Sequence, residues 1–127
     1  MPPHPHFDGG PLDWQTRWED AAARARDEGK LVFVEMGREL CSNCRSLVEI
    51  VCRQPGVEAL LSERFVPLAS DCDDPEPQVL EMAMASLAGA TMLPFVLFAD
   101  PDGNVLGSHS GAVDPASFQE ALESLAN

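Results

Sequence analysis

Basic side chains are scarce in this chain: 8 Lys and Arg stand against 21 Asp and Glu, a net charge of −13. A phosphate backbone or an anionic membrane surface would be repelled, so no nucleic-acid partner is expected. No run approaches the roughly 20 apolar residues of a membrane span, and no membrane partner is expected either. The opening Met1-Pro2-Pro3-His4-Pro5-His6 lacks the basic and apolar regions of a signal peptide. Read as given, the chain is expected to be cytoplasmic; it would be periplasmic or secreted if a leader has been removed. Four cysteines are too few to suggest a disulfide scaffold. There is no internal repeat and no sign of a second domain. With 127 residues, 45% of them hydrophobic, a single domain with a real core is expected, and a monomer.

Residues 1–12, rich in Pro, Gly and His, read as a flexible N-terminal arm, and residues 13–127 as the domain. His4 and His6 on such an arm are expected to be solvated rather than to hold a metal. Thr16-Arg17-Trp18-Glu19 has the pattern of a capping box, and Trp14, Trp18, Ala22 and Ala25 recur at helical spacing until Gly29 stops the run. Leu31 to Met36 reads as a strand covered on both faces. A second helix is expected from Cys41 to about Arg53, with Cys44, Leu47, Val48 and Val51 inward, and helix resumes over 57–64 after Pro55. Phe65 to Ser70 is a strand whose Pro67 argues for a sheet edge. Pro77 to Ala88 is a helix ended by Gly89. Strands at Phe95–Ala99 and Val105–Ser110 flank the turn Asp100-Pro101-Asp102-Gly103. Asp114 caps and Pro115 starts a last helix with Phe118, Ala121, Leu122 and Leu125 on one face. The first two strands should be parallel through a right-handed crossover.

Against that background Cys41-Ser42-Asn43-Cys44 stands out. It follows the first strand directly and opens a helix. Two thiols at this spacing can face each other, and backbone N–H groups at a helix start stabilise a thiolate. A CxxC beside a βαβ pattern is a redox signature. Arg38 would favour the thiolate and Glu39 oppose it. Glu35 is the only charge in an apolar strand. A bare buried carboxylate is unfavourable, so a raised pKa and a part in proton transfer to or from Cys44 are expected; a solvated place at a frayed strand end is the alternative. Cys52 lies about 12 Å along the helix from Cys44 at 1.5 Å per residue and reads as a buried apolar cysteine. Cys72 reads as a loop cysteine on the active-site side, and His109 as a surface histidine on that side. Met82, Met84 and Met92 read as core and pocket filler.

The order of elements, the CxxC after the first strand and Leu93-Pro94 before the third together resemble the thioredoxin superfamily over residues 14–126. The Trp-containing helix that ends in Ala25-Arg26-Asp27-Glu28-Gly29-Lys30 and the strand Phe65-Val66-Pro67-Leu68 leading to Asp71 resemble its thioredoxin-like, disulfide-isomerase-like branch. The resemblance implies an α/β thioredoxin fold: a four-stranded mixed sheet flanked by helices, with an extra N-terminal helix. It implies Cys41 as the exposed nucleophile, Cys44 as the buried resolving thiol and Glu35 as the buried carboxylate. It places Pro94 on the family's cis-proline and Leu93 where backbone groups meet a substrate strand, with Leu40 and Phe95 beside them. Gly89 and Gly111 match glycines that let neighbouring chain approach the site. Leu40 in place of the usual Trp, Ser42-Asn43 in place of Gly-Pro and Phe95 in place of Thr depart from thioredoxin itself.

Three functions follow. One is a thiol–disulfide oxidoreductase acting on protein disulfides, needing no cofactor beyond its cysteine pair and a thiol protein as electron donor or acceptor. Another is a zinc module; a structural site needs four ligands, and with no second CxxC and no suitably spaced His, no metal is expected. The third is an interaction or chaperone-like module of the same fold whose CxxC is dispensable.

Overall fold

The computed structural model describes residues 3–126; Met1, Pro2 and Asn127, the outer ends of the expected arm and domain, lie outside the described residues. Elements run α1 (Trp18–Glu28), β1 (Leu31–Gly37), α2 (Ser42–Ser46, continued by a π turn over Leu47–Val51), α3 (Pro55–Arg64), β2 (Phe65–Asp71), α4 (Pro77–Leu87), β3 (Phe95–Ala99), β4 (Val105–Ser110) and α5 (Pro115–Ala126). The sheet order is β2-β1-β3-β4, with β1 parallel to β2 and the other pairs antiparallel. This is the thioredoxin fold, with α1 as its additional N-terminal helix.

Strand β1 is central, and its side chains alternate between two cores. Val32, Val34 and Met36 face α1 and α4, where Ala21, Ala25, Val79, Met82 and Ala83 cover them. Phe33 faces the other way, into a cluster with Leu47, Val48 and Val51 from the α2–π segment, Val57 and Leu61 from α3, and Phe118 and Leu122 from α5. Phe33 stacks on Phe98 at 5.6 Å and meets Phe118 edge-on at 5.6 Å. The alternation carries Glu35 and Gly37 to the same face as Phe33, so the one buried carboxylate of the sheet points toward the helix that bears the cysteines.

Pro67 sits on the edge strand, as its missing N–H requires. Its outward carbonyl accepts from Gln15 N–H at 2.9 Å, and Ala69 N–H donates to Gln15 O at 2.8 Å. The proline nitrogen therefore points outward, where it interrupts no bond to β1.

Two expectations are corrected. The Thr16–Glu19 capping box does not form: Arg17 is the N-cap and makes no side-chain cap bond. Instead Trp18 N–H donates to Glu76 Oε1 at 2.7 Å, a carboxylate 58 residues away. The described part of the N-terminal segment is also packed rather than free. His4, Phe7 and Leu12 are buried, beside a fully buried Trp14 whose Nε1–H donates to Gly9 O at 3.3 Å. His4 is thus not solvated.

Candidate active site

Cys41 and Cys44 are joined as a disulfide, with Cα atoms 5.2 Å apart. Cys41 is the N-cap of α2 in extended backbone, and Cys44 N–H donates to its Sγ at 3.1 Å. A backbone donor aimed at that sulfur favours the thiolate when the pair is reduced. Cys41 is partly exposed and Cys44 fully buried, so only the first sulfur is open to a partner.

Pro94 is buried and follows a cis Leu93–Pro94 bond. The loop is pinned from both sides. Ser110 Oγ–H donates to Met92 O at 2.6 Å, and Gly111 N–H donates to Pro94 O at 3.1 Å. A Cβ on Gly111, whose φ is +89°, would meet Met92 Cβ at 3.3 Å, so this glycine allows the close approach expected of it. Gly89 has open space around it and a φ of +85°; its role is the left-handed turn that follows α4, not chain approach.

Of the expected substrate-facing residues, Leu40 is 92% exposed, and Leu93 is half-buried against the cysteine-side core. Leu93 O accepts from Asn43 Nδ2–H at 3.3 Å, so the middle of the CxxC is tied to the proline loop. Phe95 is not brought to the cysteines. It lies one position out of phase with Val96 and Phe98 and packs on the opposite face, with the Met36 and Cys72 layer.

Glu35 is 2% exposed and its burial pushes the carboxyl pKa up, opposed by a hydrogen bond from His4. His4 Nε2 lies 2.7 Å from Glu35 Oε1. On the other side of the carboxyl, a Cβ placed on Gly37 would lie 2.5 Å from Glu35 Oε2 and 2.7 Å from Cys44 Sγ. The absent side chain at Gly37 thus leaves one small space in which the carboxylate and the resolving sulfur face each other. The carboxyl and the buried sulfur border the same space, and Glu35 is buried rather than solvated at a frayed strand end.

Nothing local in the sequence marks His4 as the partner of Glu35. A single histidine among prolines carries no periodic signal; the clues were the apolar Phe7, Leu12 and Trp14 around it and a buried carboxylate with no partner. Arg38 does not turn to Cys41 as expected. Its guanidinium pairs with Asp73 at 2.8 Å and lies beside Cys72. Among the described residues, Asp71, Cys72 and Asp73 are the one trio spaced like metal ligands, and the Arg38 cation already lies against two of them. Cys52 is fully buried, and burial raises its thiol pKa well above the ordinary value. His109 is half-buried, its Nε2 3.1 Å from Ala112 O. Met82 is core, whereas Met84 and Met92 are exposed, contrary to their expected role as filler.

The CxxC disulfide lies at a helix start, is tied through Asn43 to the loop with the cis-proline, and has a buried carboxylate bordering the same space as its inner sulfur. Residues 13–101 match the thioredoxin-like family model, and the chain belongs to that family. No curated protein sequence matches the chain. It is similar to the solution structure of a thioredoxin from Thermus thermophilus, with 28% identity and a TM-score of 0.71 over 90% of this chain and 86% of that one. It is also similar to a candidate disulphide-isomerase from Bacteroides thetaiotaomicron, with 26% identity and a TM-score of 0.71 over 92% and 93%. The C-terminal domain of Neisseria meningitidis DsbD in its oxidised form shares the fold, at 21% identity and a TM-score of 0.64 over 88% and 98%. Family, fold and cysteine pair together support thiol–disulfide oxidoreductase chemistry as the class of activity.

Proposed function

We propose that the chain exchanges disulfides with protein substrates through Cys41 and Cys44, with a second thiol protein returning the pair to its starting state. The observation that carries this reading is the asymmetry of the pair: Cys41 is partly exposed with a backbone N–H on its sulfur, and Cys44 is sealed beneath it against Glu35. Exposed apolar side chains at Leu40 and Met92 suit a polypeptide more than a small polar thiol.

In the reducing direction the Cys41 thiolate attacks one sulfur of a substrate disulfide. A Cys41–substrate bond forms, and the other substrate sulfur leaves as a thiolate and takes a proton from solvent. The Cys44 thiol then gives its proton to Glu35 Oε2 and attacks Cys41. The Cys41–Cys44 bond forms as the second substrate sulfur leaves. Glu35 releases that proton to water, and the second substrate sulfur, leaving as a thiolate, takes one from water. The substrate gains two electrons and two protons; the protein loses two electrons and the one proton of Cys44, Cys41 having begun as a thiolate. Oxidation of a dithiol runs through the reverse steps.

Insulin reduction under dithiothreitol tests the reading. Wild type should accelerate precipitation of the insulin B chain, Cys41→Ser should abolish this, and Cys44→Ser should stall after the first attack. The exposed Leu40 would equally serve an interaction module. Cys41→Ser protein that keeps full client binding and biological activity would favour that alternative.

A further inference from the structure

The imidazole of His4 is held by more than the carboxylate. Its Nδ1 lies 3.0 Å from His6 N and 3.2 Å from Phe7 N, both of which donate to it. A ring nitrogen that accepts two N–H groups carries no proton, so the hydrogen of the neutral ring is on Nε2. His4 therefore donates to Glu35 Oε1, and the contact is a hydrogen bond to a fixed tautomer rather than an ion pair. The ring is further clamped by stacking on Phe7 at 5.2 Å and by an edge contact with Trp14 at 4.7 Å.

With Oε1 occupied, the second carboxylate oxygen is the one left to face Cys44 across Gly37. Glu35 and Gly37 also line a cavity of about 230 Å³ whose other walls include Thr16, Ser70, Asp71 and Glu76. A cavity of this size with carboxylates and hydroxyls in its wall admits water, which gives a proton received at Oε2 a route away from the sulfurs. The titratable groups that face Glu35 are His4 and His6 from the N-terminal segment, Cys44 and Cys52 from the helix, and Asp71, Asp74 and Glu76 from the cavity wall. Of these only His4 is hydrogen-bonded to it.

We propose that His4 is a positioning residue for the proton transfer at Cys44, its Nε2–H fixing one oxygen of Glu35 so that the other is presented to the resolving thiol. The N-terminal segment is on this view part of the redox machinery. The inference rests on the exchange reaction proposed above and deepens it.

Three measurements on the full chain test it. In wild type, ¹⁵N NMR of the His4 ring at neutral pH should show an unprotonated Nδ1 and a protonated Nε2; the opposite tautomer or a doubly protonated ring overturns the inference without any variant. Carbon-13 titration of the Glu35 carboxyl in the oxidised protein should move upward by about one pH unit or more in His4→Leu, because the charged form loses its donor. It should stay near wild type in His4→Gln, whose amide N–H can reach the same oxygen. In single-turnover reduction of a disulfide peptide, the rate of the Cys44 step in His4→Leu should fall about tenfold near neutral pH and recover as pH rises. In a Glu35→Gln background the same change should do nothing more to the pH profile. A loss equal at every pH, or a Glu35 titration unmoved by His4→Leu, overturns the positioning role while leaving exchange intact. Wild-type protein inert toward disulfides would sink the exchange reading and this inference with it.

Discussion

Replacing Gly37 by alanine is expected to separate the two atoms on which the proposed second step of exchange depends. Gly37 lies at the end of β1, so the backbone accepts a side chain; the objection is space. The added methyl would sit 2.5 Å from Glu35 Oε2, 2.7 Å from Cys44 Sγ and 3.2 Å from Cys44 Cβ. None of these neighbours is free to retreat: Glu35 is anchored by His4, and Cys44 is buried in the α2 turn. Over-packing of a filled core costs about 1–3 kcal/mol. For a domain of this size that is a fall in Tm of roughly 3–15 °C. The kinetic signature is more specific. Attack by Cys41 on a disulfide peptide should proceed at close to the wild-type rate, because Cys41 lies outside the contact. Resolution by Cys44 should slow, and the mixed disulfide should accumulate in quenched single-turnover samples. Calorimetry and quench-flow mass spectrometry read the two effects separately. An unchanged Tm with unchanged resolution would show that carboxyl and thiol do not meet over Gly37.

Glu35→Gln should change how stability depends on pH. A carboxyl whose pKa is raised by folding contributes stability that is fully present below its ordinary pKa and fades as pH rises through the higher folded value. The variant should therefore gain on wild type between acid and neutral pH in paired urea titrations, by about 1.4 kcal/mol for each pH unit between the two pKa values; parallel curves would contradict the burial effect. Glu76→Ala should cost about 0.5–2 kcal/mol through the lost cap on α1, with Thr16→Ala near neutral; the reverse order in thermal melts would restore the local capping box. Iodoacetamide should label the reduced protein at Cys41 first and at Cys72 slowly. Burial raises the Cys72 pKa and Arg38 only partly offsets it. Cys52 should be labelled only on unfolding, and early labelling there by peptide mapping would refute its burial.

Much of this site is legible in the chain because its parts are local or periodic. The CxxC follows a strand that is apolar on both faces, and alternation along that strand already sends Glu35 to the cysteine side. Pro67 announces an edge, and Asp114 caps α5 through Ser117 N–H at 2.8 Å, as its position before Pro115 suggests. What escaped the sequence is what depends on distant chain. His4 meets Glu35 across 31 residues, and Glu76 caps α1 across 58; no local pattern encodes either. The π turn that follows α2 is likewise silent in the sequence. Cys52 N–H reaches back five residues to Leu47 O at 2.8 Å, yet the apolar spacing over 44–51 suits an ordinary helix. Only the resemblance places Phe95 at the substrate rim; its phase on β3 relative to Val96 and Phe98 puts it on the other face.

The most direct measurement is trapping of the first covalent intermediate. Cys44→Ser protein, reduced and mixed with a peptide disulfide, should yield one mixed disulfide, mapped by mass spectrometry to Cys41, and Cys41→Ser should yield none at Cys44 in the folded state. Absence of any adduct, or an adduct at Cys72 in place of Cys41, would contradict the assignment of Cys41 as the attacking sulfur.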